Sequence, residues 1–384
     1  MSSEKIILIS PAFPYRGGIA ATSDRLAQEY LKRGADVEVW TFKMMYPKFL
    51  FPGKTQYQEE GTPGPEGTKI IRKISSVNPF NWFKVGRDLK QSGASKAIIR
   101  FWLPFFGPCF GNIARIGKKG GVKIICLADN VVPHEARKGD KFLSKYFFKR
   151  VDAFLVMAEK GIAQLKETFN YRKPIIYSPH PLFDVYGDPM SKEKGCKHLN
   201  ISPEFDYILS FGLIRKYKGV DLLLEAFASV KDQLPNQKII LAGEAYDDWS
   251  DYQAIIDKHK LNERIIRFDK FIANDDVKYF FSAGDYLALT YRHATQSGVT
   301  QIAYTMNLPM LVTNVGDLMN MVPNGKVGLV CENDIKSIAN ALIDMSNKAN
   351  LSSFVTGIEE EKKRFEWGRL CDNLDKLSDS VTSA

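Results

Sequence analysis

The sequence predicts an α/β protein of two successive domains, and three observations carry that expectation. At 384 residues the chain is longer than one hydrophobic core usually serves. Short apolar runs with little alternation, as buried parallel strands require, recur between segments whose apolar residues follow helical spacing. The alternation starts twice, at Lys5 and at Tyr207, and each start leads into a glycine-bearing loop, Gly17-Gly18 in the first series and Gly212 to Gly219 in the second.

The first series opens with the run Lys5 to Ser10, a loop from Pro11 to Gly18, a helical segment from Ile19 to Arg33 that stops at Gly34, and a strand Val37 to Trp40. The loop is not G-x-G-x-x-G and Glu38 is a weak substitute for the dinucleotide acid, which counts against a nicotinamide site. Gly17 and Gly18 let the backbone come close to a ligand phosphate, although a plain turn needs the same residues. Met44 to Thr68 is rich in Pro, Gly and polar residues and too long for a simple connector, so it reads as a lid lining an acceptor site or as a surface loop. Ile98 to Phe110 is aromatic and broken by prolines, well short of the roughly 20 apolar residues of a spanning helix. It reads as a buried strand followed by a helix start, with an interfacial membrane contact as the alternative. Lys123 to Leu127 is a further buried strand that places Asp129 and His134 at its carboxyl end, where α/β sites collect their chemistry. Either side chain could polarise a hydroxyl or take up a proton, or simply cap and tie the loop. Val151 to Met157 is the last strand of this half, and Asp188 to Asn200 reads as a linker.

The second series starts with the strand Tyr207 to Gly212, after which Arg215, Lys216 and Lys218 precede an amphipathic helix from Val220 to Val230. Cations at a helix start oppose its dipole unless an anion sits there too. Arg215 suits bidentate phosphate binding and Lys218 a point charge. Strand Lys238 to Ala242 ends in Gly243-Glu244-Ala245-Tyr246, helix Trp249 to His259 and strand Ile265 to Phe268 follow, and helix Asp275 to Ala283 precedes the strand Leu287 to Leu289. A small polar loop, Ala294 to Gly298, then opens the helix Val299 to Met306, whose free N–H groups and dipole suit a phosphate. Strand Met310 to Thr313 ends in Asn314-Val315-Gly316-Asp317, a helix follows Asn333, and a helix-like segment Ile358 to Leu377 closes the chain.

Composition narrows the function. Net charge is +9, and Lys84 to Arg150 alone holds 15 Lys and Arg against 4 Asp and Glu. An anionic partner is implied: a nucleotide, a phosphorylated sugar or a membrane surface. No nucleic-acid-binding motif accompanies the basic residues, so no nucleic-acid partner is expected. The 5 cysteines are scattered without a CxxC pair, which excludes a disulfide framework and a zinc site. An N-terminus that runs straight into a strand gives no sign of export. The expected location is the cytoplasm, with peripheral contact on the inner face of the membrane left open by the basic segment.

Taken together, the motifs resemble retaining glycosyltransferases of the GT-B fold, family 4. The residues that carry the likeness are Pro14 with Gly17-Gly18-Ile19; Phe211-Gly212 through Arg215 and Lys218-Gly219-Val220-Asp221 to Glu225-Ala226-Phe227; Ala242-Gly243-Glu244; and Pro309, Asn314, Val315-Gly316 and Asn324-Gly325-Lys326 to Val330. The resemblance implies two Rossmann-like domains facing a central cleft, bounded here at 1–182 and 183–362, with 363–384 as a closing helix around Trp367 that crosses back. It implies transfer of a sugar with retention from a nucleoside diphosphate sugar to a saccharide or lipid-linked acceptor, in surface polysaccharide or glycolipid synthesis and without a tightly bound metal. Arg215 and Lys218 would hold the diphosphate, and Gly17 and Gly18 would approach it. The family's usual glutamate pair falls on Ala294 and Ile302 when the alignment is anchored at Pro309, so the chain looks like a variant subgroup with an ATQSG loop, in which the histidine at the strand end falls on Asp129. Donor recognition then passes to Glu244, Gln296, Ser297, Gly298 and Thr300, and catalysis to Asp129 and His134. The missing glutamates leave two alternatives, a non-catalytic sugar-nucleotide-binding descendant and a sugar-nucleotide epimerase on the same fold.

Overall fold

The computed structural model describes residues 3–47, 55–133, 137–294 and 297–381, and the chain divides into two units, Met1–Pro179 with Trp367–Ala384, and His180–Glu366. Strands β1 (Lys5–Ile9), β2 (Asp36–Met44), β3 (Lys69–Ser75), β4 (Lys96–Phe101), β5 (Lys123–Ala128), β6 (Ala153–Val156) and β7 (Ile175–Tyr177) form the sheet of the first unit. All pairs are parallel, in the order β3-β2-β1-β4-β5-β6-β7. The crossovers carry α1 (Gly18–Lys32), α2 (Pro79–Lys90), α3 (Gly107–Gly117), α4 (Asp140–Phe148) and α5 (Lys160–Ala163). Strand residues sort by their period of two. Ile7, Ile99 and Ile124 bury against Leu89, Phe110 and Phe147 of α2, α3 and α4, whereas Ile6, Ile98 and Ile125 bury against Leu26 and Tyr30 of α1 on the other side. Both faces of the sheet are covered, which is why β1 and β5 lack a polar stripe.

The second unit holds α6 (Lys192–Leu199), β8 (Asp206–Phe211), α7 (Val220–Val230), β9 (Gln237–Ala242), α8 (Trp249–Lys258), β10 (Ile265–Phe268) and α9 (Asn274–Ala283). It continues with β11 (Tyr286–Leu289), α10 (Gly298–Thr305), β12 (Met310–Thr313), α11 (Leu318–Met321), β13 (Gly328–Cys331), α12 (Ile335–Met345) and α13 (Lys348–Glu361). Its six strands are parallel in the order β10-β9-β8-β11-β12-β13. Both units are therefore Rossmann-like α/β domains, the expected fold class.

The last helix, α14 (Trp367–Ser380), belongs to the first unit. Trp367, Leu370, Cys371, Leu374 and Leu377 form a buried stripe at helical spacing that joins the α1 side of the core. Its polar edge is fixed by Asp375, which accepts from Tyr30 Oη at 2.9 Å and from the buried Lys96 Nζ at 2.5 Å.

Three expectations are corrected. The linker at 188–200 contains α6, whose Cys196 is buried and whose Gly195 lies against the α9 backbone, so the segment is part of the second unit's core. The closing segment Ile358 to Leu377 is two helices, α13 and α14, interrupted where Glu366 turns extended as the chain passes from one unit to the other. Strand β2 runs on to Met44, and β3 and α2 follow it where no element was anticipated. The aromatic run Ile98 to Phe110 is, as expected, a buried strand followed by a helix start: Phe101, Trp102, Phe106 and Phe110 lie in the core, and Leu103 between them is exposed. Residues 48–54 of the expected lid lie outside the described residues, but Gln56 and Gln58 pair with the first loop, through Arg16 N–H to Gln56 O at 3.0 Å and Gln58 N–H to Pro14 O at 2.9 Å. All five cysteines are free thiols. Among the described residues no helix is long and apolar enough to cross a membrane.

Candidate functional site

In a parallel sheet the loops after successive strands emerge on one edge, and ligands collect there. On the second unit these are the loops after β8, β9, β11 and β12, and short bonds lock them together. Ile214 N–H donates to Glu244 O at 2.9 Å, and Tyr246 N–H returns to Ile214 O at 3.0 Å. Thr290 Oγ1 donates to Gly219 O at 2.8 Å, Arg292 N–H to Tyr217 O at 2.7 Å, and Thr313 Oγ1 to Tyr291 O at 2.6 Å. Two glycines permit this approach. A Cβ on Gly219, with φ of 63°, would stand 2.0 Å from Thr290 O, and one on Gly243, with φ of 146°, would stand 2.1 Å from Gly212 O. Side chains at either position would push the loops apart.

The cations of the β8 loop gather at this locked edge. Lys218 is half-buried, with Nζ near the open face of Gly212 and 5.5 Å from the Tyr291 ring centroid. Arg215 is exposed and its guanidinium lies 4.8 Å from the Tyr246 ring centroid. Neither forms an ion pair among the described residues, while the neighbouring Arg292 pairs with Asp221; the Lys216 backbone N–H donates to the Asp247 carboxylate. Burial, assisted by the nearby Arg215 charge, pushes the Lys218 ammonium down to about 8. Two neighbouring like charges, neither in an ion pair among the described residues, describe a site prepared for an anion.

Of the ATQSG loop, Ala294, Ser297 and Gly298 are described, and they follow β11 at the same edge. Ser297 precedes α10, its hydroxyl 3.2 Å from Tyr291 Oη and making no cap bond, so among the described residues no side chain caps the first N–H groups of α10. Gly298 begins the helix against the Phe183 ring, which a Cβ there would approach to 2.8 Å. Thr300 does not fit the donor-contacting role expected of it. It is fully buried, and its hydroxyl donates to Ser297 O at 2.7 Å, shaping the loop instead. Glu244 is exposed, and its backbone oxygen holds the β8 loop through Ile214 N–H. Gln296 lies outside the described residues. The neighbouring Gln301 was not among the candidates, yet it is fully buried with neither end of its amide bonded. Tyr246 and Tyr291, which flank the two cations, also went unpredicted; aromatic residues at strand ends were the available signal.

On the first unit, Gly17 has φ of 106° at the start of α1, and a Cβ on Gly17 or Gly18 would meet nothing within 4 Å, so both backbones face open space. Asp129 sits just past β5 and is held by a residue the sequence reading did not single out. Arg100 is buried in β4, donating from Nε to Asp129 Oδ2 at 2.8 Å and from Nη2 to Oδ1 at 2.7 Å. Its Nη1 reaches Thr22 Oγ1 at 2.6 Å and Ser23 Oγ at 3.1 Å, tying β4 and β5 to α1. A carboxylate engaged at both oxygens by one guanidinium fork suits positioning better than proton uptake. Asp129 lines a small depression with Asn130, Lys160 and Gln164. His134, the other acid–base candidate, lies outside the described residues.

Asp24 is a carboxyl of the first unit that burial perturbs upward. Buried in α1, it accepts from Phe13 N–H at 3.1 Å, and burial raises it to about 7 against that hydrogen bond. A carboxyl raised in the fold binds more protons native than unfolded. Its contribution is therefore fully present below the ordinary aspartate range and lost as pH rises through about 7. Asp24→Asn keeps the acceptor and removes the titration. Between about pH 5 and about pH 8 the wild type should lose stability relative to this variant by on the order of 2 kcal/mol. Parallel thermal melts at the two pH values measure it, and superimposable pH profiles would contradict it.

Comparison with known proteins points in one direction. Residues 206–348 match the family model described as glycosyl transferases group 1. An uncharacterized glycosyltransferase of Methanocaldococcus jannaschii is 22% identical over 382 residues, covering 98% of this chain and 99% of that one. A glycosyltransferase from Rickettsia africae superposes with a TM-score of 0.74 at 14% identity, over 100% of both chains. HepE of Anabaena, solved in complex with UDP, superposes with a TM-score of 0.69 at 14% identity over 98% of this chain and 100% of that one. The two-domain fold is thus that of GT-B glycosyltransferase structures.

Proposed function

We propose that this chain is a glycosyltransferase that takes a sugar from a nucleoside diphosphate sugar and passes it, with retention, to an acceptor hydroxyl. The observation that carries the reading is the Arg215–Lys218 pair at the carboxyl edge of the second unit's sheet, in no ion pair among the described residues. The diphosphate lies between these cations and the uncapped start of α10, where Ser297 and Gly298 offer N–H groups. Tyr246 and Phe271, both exposed in the loops after β9 and β10, offer faces to a base. The bond from the anomeric carbon to the diphosphate oxygen breaks, and its electron pair stays on that oxygen, where Arg215 and Lys218 stabilise the charge without a metal. The acceptor oxygen bonds the anomeric carbon from the same face, and its proton passes to the departing phosphate oxygen. Gly17 and Gly18 let a ligand lie against the start of α1, and Asp129, held by Arg100, orients an acceptor hydroxyl. A basic first unit favours an anionic or lipid-linked acceptor, in surface polysaccharide or glycolipid assembly at the inner face of the membrane.

The test is turnover of UDP-, GDP-, ADP- and dTDP-sugars with a lipid or saccharide extract, the product's anomeric configuration being read by NMR. Transfer from one nucleotide class with the donor's configuration is expected. An inverted product would overturn retention, and a donor that binds yet is never consumed would make the chain a sugar-nucleotide-binding descendant.

A further inference from the structure

We propose that the outer surface of the α2–α3–α4 layer docks on an anionic lipid bilayer. It adds to the proposed function the surface at which a lipid-linked acceptor is met, but its test needs no turnover. Helices α2, α3 and α4 leave the carboxyl ends of β3, β4 and β5 on one face of a parallel sheet, so all three begin at the same end of the unit. At that end large apolar side chains stand in water. Phe80 is 86% exposed and Phe83 42% exposed on α2, Phe142 is 74% exposed on α4, and Leu103 stands exposed before α3. None is there for want of a core. The same helices bury Val85 and Leu89, Ile113, and Phe147 and Phe148 on their inner sides, so each helix carries a second apolar feature facing outward.

Cations stand beside and behind these tips. On α2 the exposed residues Phe80, Phe83, Lys84 and Arg87 fall at i, i+3, i+4 and i+7, one helical face. On α4 Lys141 and Lys145 stand exposed near Phe142, and Lys149 stands exposed just past the helix end. None of these five cations forms an ion pair among the described residues. The nearby acids are engaged elsewhere, Asp88 with Lys73 and Asp140 with the Arg137 N–H. Protruding apolar tips with a band of free cations along the helices match a bilayer, whose acyl boundary takes the rings while its anionic headgroups meet the charges. A nucleic acid would satisfy the cations but gives no reason for an apolar rim that includes Leu103.

Sedimentation with vesicles separates the possibilities. Wild type should pellet with phosphatidylglycerol–phosphatidylcholine vesicles at low salt and far less with phosphatidylcholine alone. F80S/F83S/F142S and K84E/R87E/K141E/K145E should each lower the partition coefficient by about tenfold or more, with circular dichroism and thermal midpoints like wild type. Either variant suffices if the other fails to fold. No pelleting of wild type, or unchanged partition in a folded variant, overturns the proposal. So does an oligonucleotide that strips wild type from vesicles and binds the phenylalanine variant with the same loss, which would make nucleic acid the partner. Donor turnover in detergent is unaffected by any of these results, so failure here leaves the transferase reading standing.

Discussion

Replacing Arg215 and Lys218 together by alanine is expected to abolish donor-induced stabilisation and to lower turnover by about a thousandfold or more. Each charge-stabilising donor removed from such a site costs about 10²- to 10³-fold, and two that act on one diphosphate do not add simply. The fold should survive, because neither side chain holds an ion pair among the described residues; removing Lys218, which burial penalises when charged, should cost little. The same lysine predicts a pH dependence. Its ammonium titrates at about 8, below its unfolded value, so the folded protein carries the penalty of the buried charge below that pH and is relieved of it as pH rises. Donor affinity runs the other way: the charge that attracts the diphosphate is present at neutral pH and fades above about 8. Calorimetric titration with donor across this range should show the decline in wild type and its absence in Lys218→Arg. A double variant that retains wild-type turnover would remove the diphosphate assignment.

The second large effect is on stability. Arg100→Met should destabilise the first unit by about 3–5 kcal/mol, because it leaves the Asp129 carboxylate mostly buried without its counter-charge and removes the bonds that tie β4 to Thr22 and Ser23 of α1. Asp129→Asn in the same background should recover much of that loss, since the buried charge disappears with its partner. Urea unfolding of the wild type, both single variants and the double variant measures the coupling. Losses that simply add would mean that the pair observed between β4 and β5 carries no interaction energy.

These two sites were unequally legible in the sequence. Arg215 and Lys218 announce themselves locally: cations placed where a helix dipole repels them make sense only with an anion. Arg100 gives no such sign. It sits in an apolar run, its carboxylate partner is 29 positions away, and only the parallel pairing of β4 with β5 brings them together. Asp129 was found by its place at a strand end, but its engagement was invisible for the same reason. Gln301 looks like an ordinary polar helix residue and is fully buried because α10 is covered on that side.

The fold divides along the same line. Strands β1, β5 and β8 were evident because nothing but a doubly covered sheet suits runs such as Ile6-Ile7-Leu8-Ile9. Strand β3 was hidden because it pairs only with β2 at the sheet edge, and its KIIRKIS sequence keeps several side chains in water. Helix α6 was hidden because its lysines and glycine read as a linker, and its burial depends on α9, far along the chain. The most aromatic segment, Ile98 to Phe110, was legible as buried because aromatic runs are what a core takes first. Exposed phenylalanines on α2 and α4 are indistinguishable from core residues until the helix faces are known.

Titration of the protein with UDP, GDP, ADP and dTDP in EDTA, for wild type and for Arg215→Ala/Lys218→Ala, tests the central claim most directly. Saturable binding of one nucleoside diphosphate by wild type, lost in the double variant, is the predicted result. Binding that appears only when a divalent metal is added, or that persists in the double variant, would contradict it.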